Sequence, residues 1–218
     1  KILFINLILK KLMRKKVTII DYGAGNILSL QNAIEHIGHS SIITDKADII
    51  ENSKILILPG VGSYYKAMQK LNSLKISKAI KKNIEFNNGK ILGICLGMQL
   101  LAEEGTEDKK IKGLGLIKGK ILNLNKITKK KIPHIGFNKV KTNYKNGLFS
   151  KFKENNMYFY FVHSYYLKTN DPSNFNFSYC SYGKKFISSF ENKKIFGTQF
   201  HPEKSQKNGL ILLENFIG

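Results

Sequence analysis

Lys90-Ile91-Leu92-Gly93-Ile94-Cys95-Leu96-Gly97-Met98-Gln99 is the stretch on which the reading of this chain turns. Lys90 to Ile94 is a short apolar run that reads as a buried strand, and Leu96 to Glu103 reads as a helix. Cys95 stands at the junction. Gly93 and Gly97 flank it two residues to either side, where a sharp strand-to-helix turn is crowded and glycine removes the Cβ clash. The sulfur then lies at a helix N-terminus, where unpaired N–H groups and the helix dipole favour a thiolate. The N–H of Leu96 would point at an oxyanion formed by attack at Cys95. The competing reading is an inert buried cysteine.

Upstream, strand and helix patterns alternate. Val17 to Asp21 reads as a first buried strand, followed by the glycine-rich turn Tyr22-Gly23-Ala24-Gly25-Asn26. Ile27, Leu30, Ala33, Ile34 and Ile37 then form one helical face, with Gly38 as its stop. Ser41 to Thr44 and Lys54 to Leu58 read as strands, the latter closed by Pro59-Gly60-Val61-Gly62. Helical patterns cover 63–72 and 75–87. This alternation predicts an α/β fold with a central, mostly parallel sheet flanked by helices. Downstream, strand-like runs at 114–124, 134–142, 157–167, 176–182, 186–191 and 194–200 predict an antiparallel extension of that sheet, and a helix near 208–217 closes the chain. One domain over 17–218 with an extension over 1–16 is expected.

The second chemistry-bearing segment is Phe200-His201-Pro202-Glu203-Lys204-Ser205. Pro202 biases His201 toward extended backbone, and in an extended segment residues two apart project to one side. Glu203 can then hold one tautomer of His201 and stabilise its imidazolium. His36 and His39 flank a helix end and read as solvated; His134 and His163 fall in strand-like runs as secondary candidates. Cys95, His201 and Glu203 together form a candidate triad for acyl transfer. Tyr22-Gly23-Ala24-Gly25 supplies only G-x-G, a weak dinucleotide signal, and no Cys/His set has zinc spacing, so no metal and no cofactor are expected.

Composition narrows the classes. With 218 residues and 42% hydrophobic content, the chain is long enough for one sizeable core and is not of disordered composition. Two cysteines, Cys95 and Cys180, argue against a disulfide framework and fit a reducing cytoplasm. The formal net charge of +21 raises a nucleic-acid-binding reading. Arg14 is the sole arginine, however, and the lysines are scattered, so compositional bias is the better explanation. The apolar run Ile2–Leu9 is too short to span a bilayer, and no membrane association is expected.

These segments resemble the class I (triad) glutamine amidotransferases, and within them the HisH branch, the glutaminase subunits of imidazole glycerol phosphate synthase. The resemblance is carried, in order, by Ile20-Asp21-Tyr22-Gly23-Ala24-Gly25-Asn26, Leu58-Pro59-Gly60-Val61-Gly62, the Cys95 segment, Pro133-His134-Ile135-Gly136-Phe137-Asn138, Phe161-Val162-His163-Ser164-Tyr165 and Gly197 to Ser205. It implies that Cys95 attacks the side-chain amide of L-glutamine, that His201 handles the proton and that Glu203 orients His201. It implies an oxyanion hole from the backbone of Leu96 with Val61 or Gly62. It also implies a glutamine site formed by Gly60, Gly62, Gln99, Ser164 and Tyr165, with Glu107 as a weaker candidate. The implied partner is a HisF-type (β/α)8 cyclase that receives the ammonia for L-histidine biosynthesis, with Asn26, Phe137 and Asn138 on the side facing it. Phe137 stands where histidine-pathway members commonly carry tryptophan. A paralogue supplying ammonia for sugar amidation in surface-glycan synthesis is therefore the alternative within the same chemistry.

Overall fold

The computed structural model describes residues 14–144, 146–152, 157–171 and 174–218. The apolar run at 2–9, and nearly all of the expected 1–16 extension, lie outside the described residues. Five strands form the parallel body of the main sheet: β1 (Lys16–Ile20), β2 (Ser40–Thr44), β3 (Ile55–Leu58), β4 (Lys90–Ile94) and β13 (Ile195–Thr198). Two antiparallel strands, β11 (Asn176–Tyr182) and β12 (Lys184–Glu191), extend it at the edge next to β13.

Both faces of this sheet are covered, which explains why its central strands are apolar throughout. Ile55 and Ile57 of β3 face one core and Leu56 and Leu58 the other, following the period of two. The first core is closed by α1 (Ile27–His36) and α6 (Gln206–Ile217), through Leu30, Ile34, Leu212, Leu213 and Phe216. The second is closed by α3 (Tyr64–Ser73) and α4 (Ile76–Phe86), through Met68, Leu71, Ile76 and Ile80. Each fully buried Ile or Leu contributes about 1.5–3 kcal/mol relative to exposure. Gly38, at φ +93°, ends α1: its N–H bonds to Glu35 O and the N–H of His39 to Ile34 O, a closure that needs a left-handed residue.

Several expectations are corrected. The helix after Cys95 is only α5 (Leu96–Leu100); the chain then enters β5 (Ala102–Gly105) instead of continuing to Glu103. Leu100 O accepts the N–H of Leu114, and Leu101 O accepts those of Leu116 and Ile117, so tertiary partners replace the helical ones. Not every downstream strand joins the main sheet. β5, β6 (Ile111–Lys112), β7 (Ile117–Asn123) and β10 (Tyr165–Lys168) form a separate four-stranded sheet, and β8 (His134–Lys139) pairs only with β9 (Tyr158–His163). The run read as one strand over 157–167 is thus two, divided at Ser164, whose carbonyl accepts the N–H of Leu124. A short helix, α2 (Ala47–Glu51), had no clear sequence signal. His39 is buried rather than solvated, with Nε2 3.1 Å from the Glu214 carboxylate on α6.

Candidate active site

β4 and β13 are neighbours in the parallel sheet, with Ile94 in register with Thr198. The chain leaves β4 at Cys95 and leaves β13 toward His201, so both emerge at the carboxyl end of the sheet, where open α/β sheets form their sites. The Cys95 N–H bonds to Thr198 O at 2.7 Å, stitching the two exits together.

Cys95 has φ 54° and ψ −110°, a left-handed backbone that a non-glycine residue holds only when its surroundings compel it. Those surroundings are glycines. A Cβ on Gly97 would lie 1.8 Å from Leu58 O, and one on Gly93 would lie 2.7 Å from Gly97 backbone. The strand ends and the elbow therefore touch backbone to backbone. With five residues, α5 offers little macrodipole, so the electrostatic help expected at the sulfur reduces to the free N–H groups of its first turn. Cys95 is buried; its Sγ lies 3.7 Å from Val162 O and 3.8 Å from Gln199 Nε2.

His201 is anchored through its backbone, its N–H to Tyr160 O and its carbonyl to the Ser205 hydroxyl. Its Nδ1 lies 2.7 Å from Glu203 Oε1. The pairing arises differently from expectation: Pro202–Lys204 is a 3-10 turn, which swings Glu203 back beneath the ring. A carboxylate accepts only, so Nδ1 carries the hydrogen and Nε2 is left as the basic atom. Nε2 is buried and has no hydrogen-bond partner among the described residues. Burial pulls the His201 pKa down, but the Cys95 sulfur and the Glu203 carboxylate beside it outweigh burial and raise it above the usual imidazole value. The imidazolium is thus favoured next to the sulfur.

A cavity of about 260 Å³ opens in front of Cys95, lined by Val61, Gly62, Leu96, Gln99, Glu107, Pro133, Val162, His163, Ser164 and Tyr165. Of the residues expected to hold substrate, Gly62, Gln99, Ser164 and Tyr165 are on its wall. Gly60 is not: it sits one layer back, where a Cβ would lie 2.4 Å from Tyr22 Oη, 2.9 Å from Leu96 Cβ and 3.0 Å from Gly97 N. Glu107 is on the wall, its carboxylate accepting the N–H of Tyr64 at 2.8 Å, and burial raises its pKa. The secondary candidate His163 also reaches the wall; His134 stands behind it, 2.9 Å away. Pro133 and Val162 carried no signal of their own in the sequence. Among the described residues, no cluster of three or more His, Cys, Asp or Glu side chains is placed to hold a metal, and no helix is long and apolar enough to cross a membrane.

A buried thiol beside an imidazole–carboxylate pair, at the rim of a doubly covered parallel sheet, is an arrangement suited to nucleophilic acyl transfer. Residues 18–217 match the family model for glutamine amidotransferase class-I, and the chain belongs to that family. The chain is 43% identical over 201 residues to imidazole glycerol phosphate synthase subunit HisH 2 of Methanococcus maripaludis, covering 92% of this chain and 98% of the relative. It is 46% identical over 205 residues to subunit HisH 1 of Parasynechococcus marenigrum, covering 93% and 97%. Among solved structures, PurLQS from Thermotoga maritima superposes with a TM-score of 0.70 at 20% identity, covering 93% of this chain and 97% of the other. A further glutamine amidotransferase gives 0.69 at 17%, covering 91% and 98%. At these identities the likeness to the solved structures speaks for the fold.

Proposed function

We propose that this chain is a HisH-type glutaminase: the subunit of imidazole glycerol phosphate synthase that hydrolyses glutamine in histidine biosynthesis, built as one amidotransferase domain over 17–218. The single observation that carries the reading is the buried Cys95 beside an unpartnered His201 Nε2, with Glu203 on the far nitrogen.

In this reading the Cys95 thiolate attacks the side-chain amide carbon of glutamine, and charge collects on the amide oxygen. The Leu96 N–H and a backbone N–H from Val61 or Gly62 receive that oxyanion. His201 delivers its Nε2 proton to the departing ammonia, leaving a γ-glutamyl thioester. Water, deprotonated by the now neutral His201, then cleaves the thioester and frees glutamate. Glu203 stays ionised and holds the ring. Gln99, Ser164 and Tyr165 hold the amino-acid end of the substrate.

Ammonia released into water becomes ammonium, which is no nucleophile, so the product has to pass directly to a second site. The partner is a HisF-type (β/α)8 cyclase forming a heterodimer with this chain, and the setting is the cytoplasm. Exposed Ile135 and Phe137 on β8, beside the half-buried Asn138, suit a docking face. Phe137, in place of tryptophan, keeps a sugar-amidating partner as the second reading.

The test is glutamate release by the chain with its cyclase, with and without the cyclase's nucleotide substrate. Cys95→Ser is expected to abolish glutamine-dependent turnover and to spare turnover on added ammonium. Full glutaminase activity in Cys95→Ser would defeat the mechanism. Turnover only with a sugar-modifying partner would select the second reading.

A further inference from the structure

Behind the cavity wall runs a chain of hydrogen-bonded polar groups, centred on two buried histidines, that the catalytic reading does not use. Asn138 Nδ2 lies 2.8 Å from His134 Nε2, His134 Nδ1 lies 2.9 Å from His163 Nε2, and His163 Nδ1 lies 2.8 Å from Tyr165 O. His134 and His163 face each other directly across β8 and β9, and both are buried.

The direction of every bond follows from the last one. A carbonyl oxygen can only accept, so His163 Nδ1 must carry a hydrogen. A neutral His163 then presents Nε2 as an acceptor, which requires the hydrogen of His134 on Nδ1. His134 Nε2 is therefore an acceptor in turn, and Asn138 must offer it the amide NH2. Turning the Asn138 amide around would reverse the chain and set a bare nitrogen against the Tyr165 carbonyl. Both rings are held neutral. Burial presses His163 down to about 3, His134 and His201 adding to it against the Tyr165 carbonyl; burial presses His134 down to about 4, aided by Lys130. Apolar rings close the rest of the shell: Phe161 and Tyr182 stack on His134, and Phe186 lies edge-on to it.

The chain does not stop at Tyr165. The same carbonyl accepts Gln99 Nε2 at 3.2 Å, and Gln99 Nε2 also donates to Gln199 Oε1 at 3.1 Å. Both hydrogens of the Gln99 amide are thereby used, and only its oxygen remains free to meet a ligand. The Tyr165 carbonyl has both lone pairs engaged, and His163 has both nitrogens engaged.

We infer that His163 and His134 are positioning residues for the glutamine pocket: a tautomer-locked pair that fixes the Tyr165 carbonyl and, through it, presents Gln99 to the substrate as an acceptor only. The inference rests on the glutaminase reading for its substrate but not for its geometry. It also removes His163 from contention as a second general base, since neither nitrogen is free.

Long-range 1H–15N NMR of the imidazoles in the intact chain tests it without any turnover. His163 and His134 are both expected as Nδ1–H tautomers at neutral pH and without titration down to about pH 5. A His163 in the Nε2–H form, or one titrating near 6.5, overturns the assignment. His134→Phe keeps the ring stack and removes the donor to Nε2; His163 is expected to stay in the Nδ1–H form, held by the Tyr165 carbonyl, and a switch to Nε2–H overturns the direction assigned to the chain. For catalysis, His163→Phe is expected to raise KM for glutamine about tenfold or more, with kcat changed less. His163→Asn, which restores a donor near the Nδ1 position, is expected to recover most of that loss. A wild-type KM in His163→Phe overturns the positioning role. Cys95→Ser alone reads the glutaminase assignment, so the two ideas fail separately.

Discussion

Gly97→Ala puts the packing of the elbow to a direct test. The added Cβ would lie 1.8 Å from Leu58 O and 2.8 Å from Leu58 C, both backbone atoms at the end of β3. Real Cβ contacts essentially never fall below 3.0 Å, so the elbow and the Leu58–Pro59 backbone must part by about 1.2 Å. No flexible side chain is available to absorb the change. Overpacking of this kind costs about 1–3 kcal/mol and sometimes more. For a chain of this length that is a fall in melting temperature of about 2–12 °C. The larger consequence is chemical. Leu58 leads directly into Pro59-Gly60-Val61-Gly62, which supplies one side of the cavity, while Gly97 follows the nucleophile by two residues. Driving them apart misplaces the thiol against the loop by about 1 Å, and displacements of that size cost about 10²-fold in rate. The assay is glutamate release at saturating glutamine, paired with thermal denaturation. Turnover within twofold of wild type, with an unchanged melting temperature, would refute the claim that this backbone contact sets the site.

Other substitutions probe other parts. Glu203→Gln keeps the shape beside His201 but removes the charge that favours the imidazolium; turnover is expected to fall by about 10²–10⁴-fold, and a fall below fivefold speaks against an orienting carboxylate. Cys180 is buried in the first core, and burial pushes its thiol up to about 12. Cys180→Ala should leave glutamate release within about twofold while costing about 1 kcal/mol in urea unfolding. Glu191 is buried, and burial lifts its carboxyl to about 7, its Oε2 accepting the Leu148 N–H at 2.7 Å. A raised carboxyl binds its proton more tightly in the folded state, so stability is fully present below about pH 4.5 and is lost as pH rises through about 7. Glu191→Gln should therefore melt higher than wild type at pH 8, by the equivalent of about 1–3 kcal/mol, and alike at pH 4; equal curves at both pH values contradict this.

What the sequence disclosed, and what it withheld, divides along the range of the interactions involved. The elbow was legible because a local run, Gly93 to Gly97, encodes strand end, turn and helix start within a few consecutive residues. The mostly parallel, doubly covered sheet was legible because both-face burial leaves an apolar signature in β3 and β4, whereas the order of the strands was not. The early end of α5 was not, because Leu100 and Leu101 suit a helix equally well and only the distant 114–117 segment takes their carbonyls. The burial of His39 depends on Glu214, 175 residues away. The His201–Glu203 pair was anticipated for its partners but not for its turn. Ser164 read as an interior strand residue, although it is the point where the chain passes from the ribbon of β8 and β9 to the sheet of β7 and β10. His163 and His134 could be noticed as histidines in strands; their mutual bond needed the cross-strand register.

The spacing of the nucleophile and its base starts from the sheet, whose neighbouring strands β4 and β13 lead into both segments. Adjacent strands repeat at about 4.8 Å wherever the ladder is intact, and Gly93 paired with Gly197 keeps β4 and β13 at that repeat to their last residues. Mutational drift on the outer surface leaves this ruler untouched. A chain biased toward lysine, asparagine and isoleucine can thus carry a net charge of +21 on its solvent-facing positions and still deliver sulfur and imidazole to the same place.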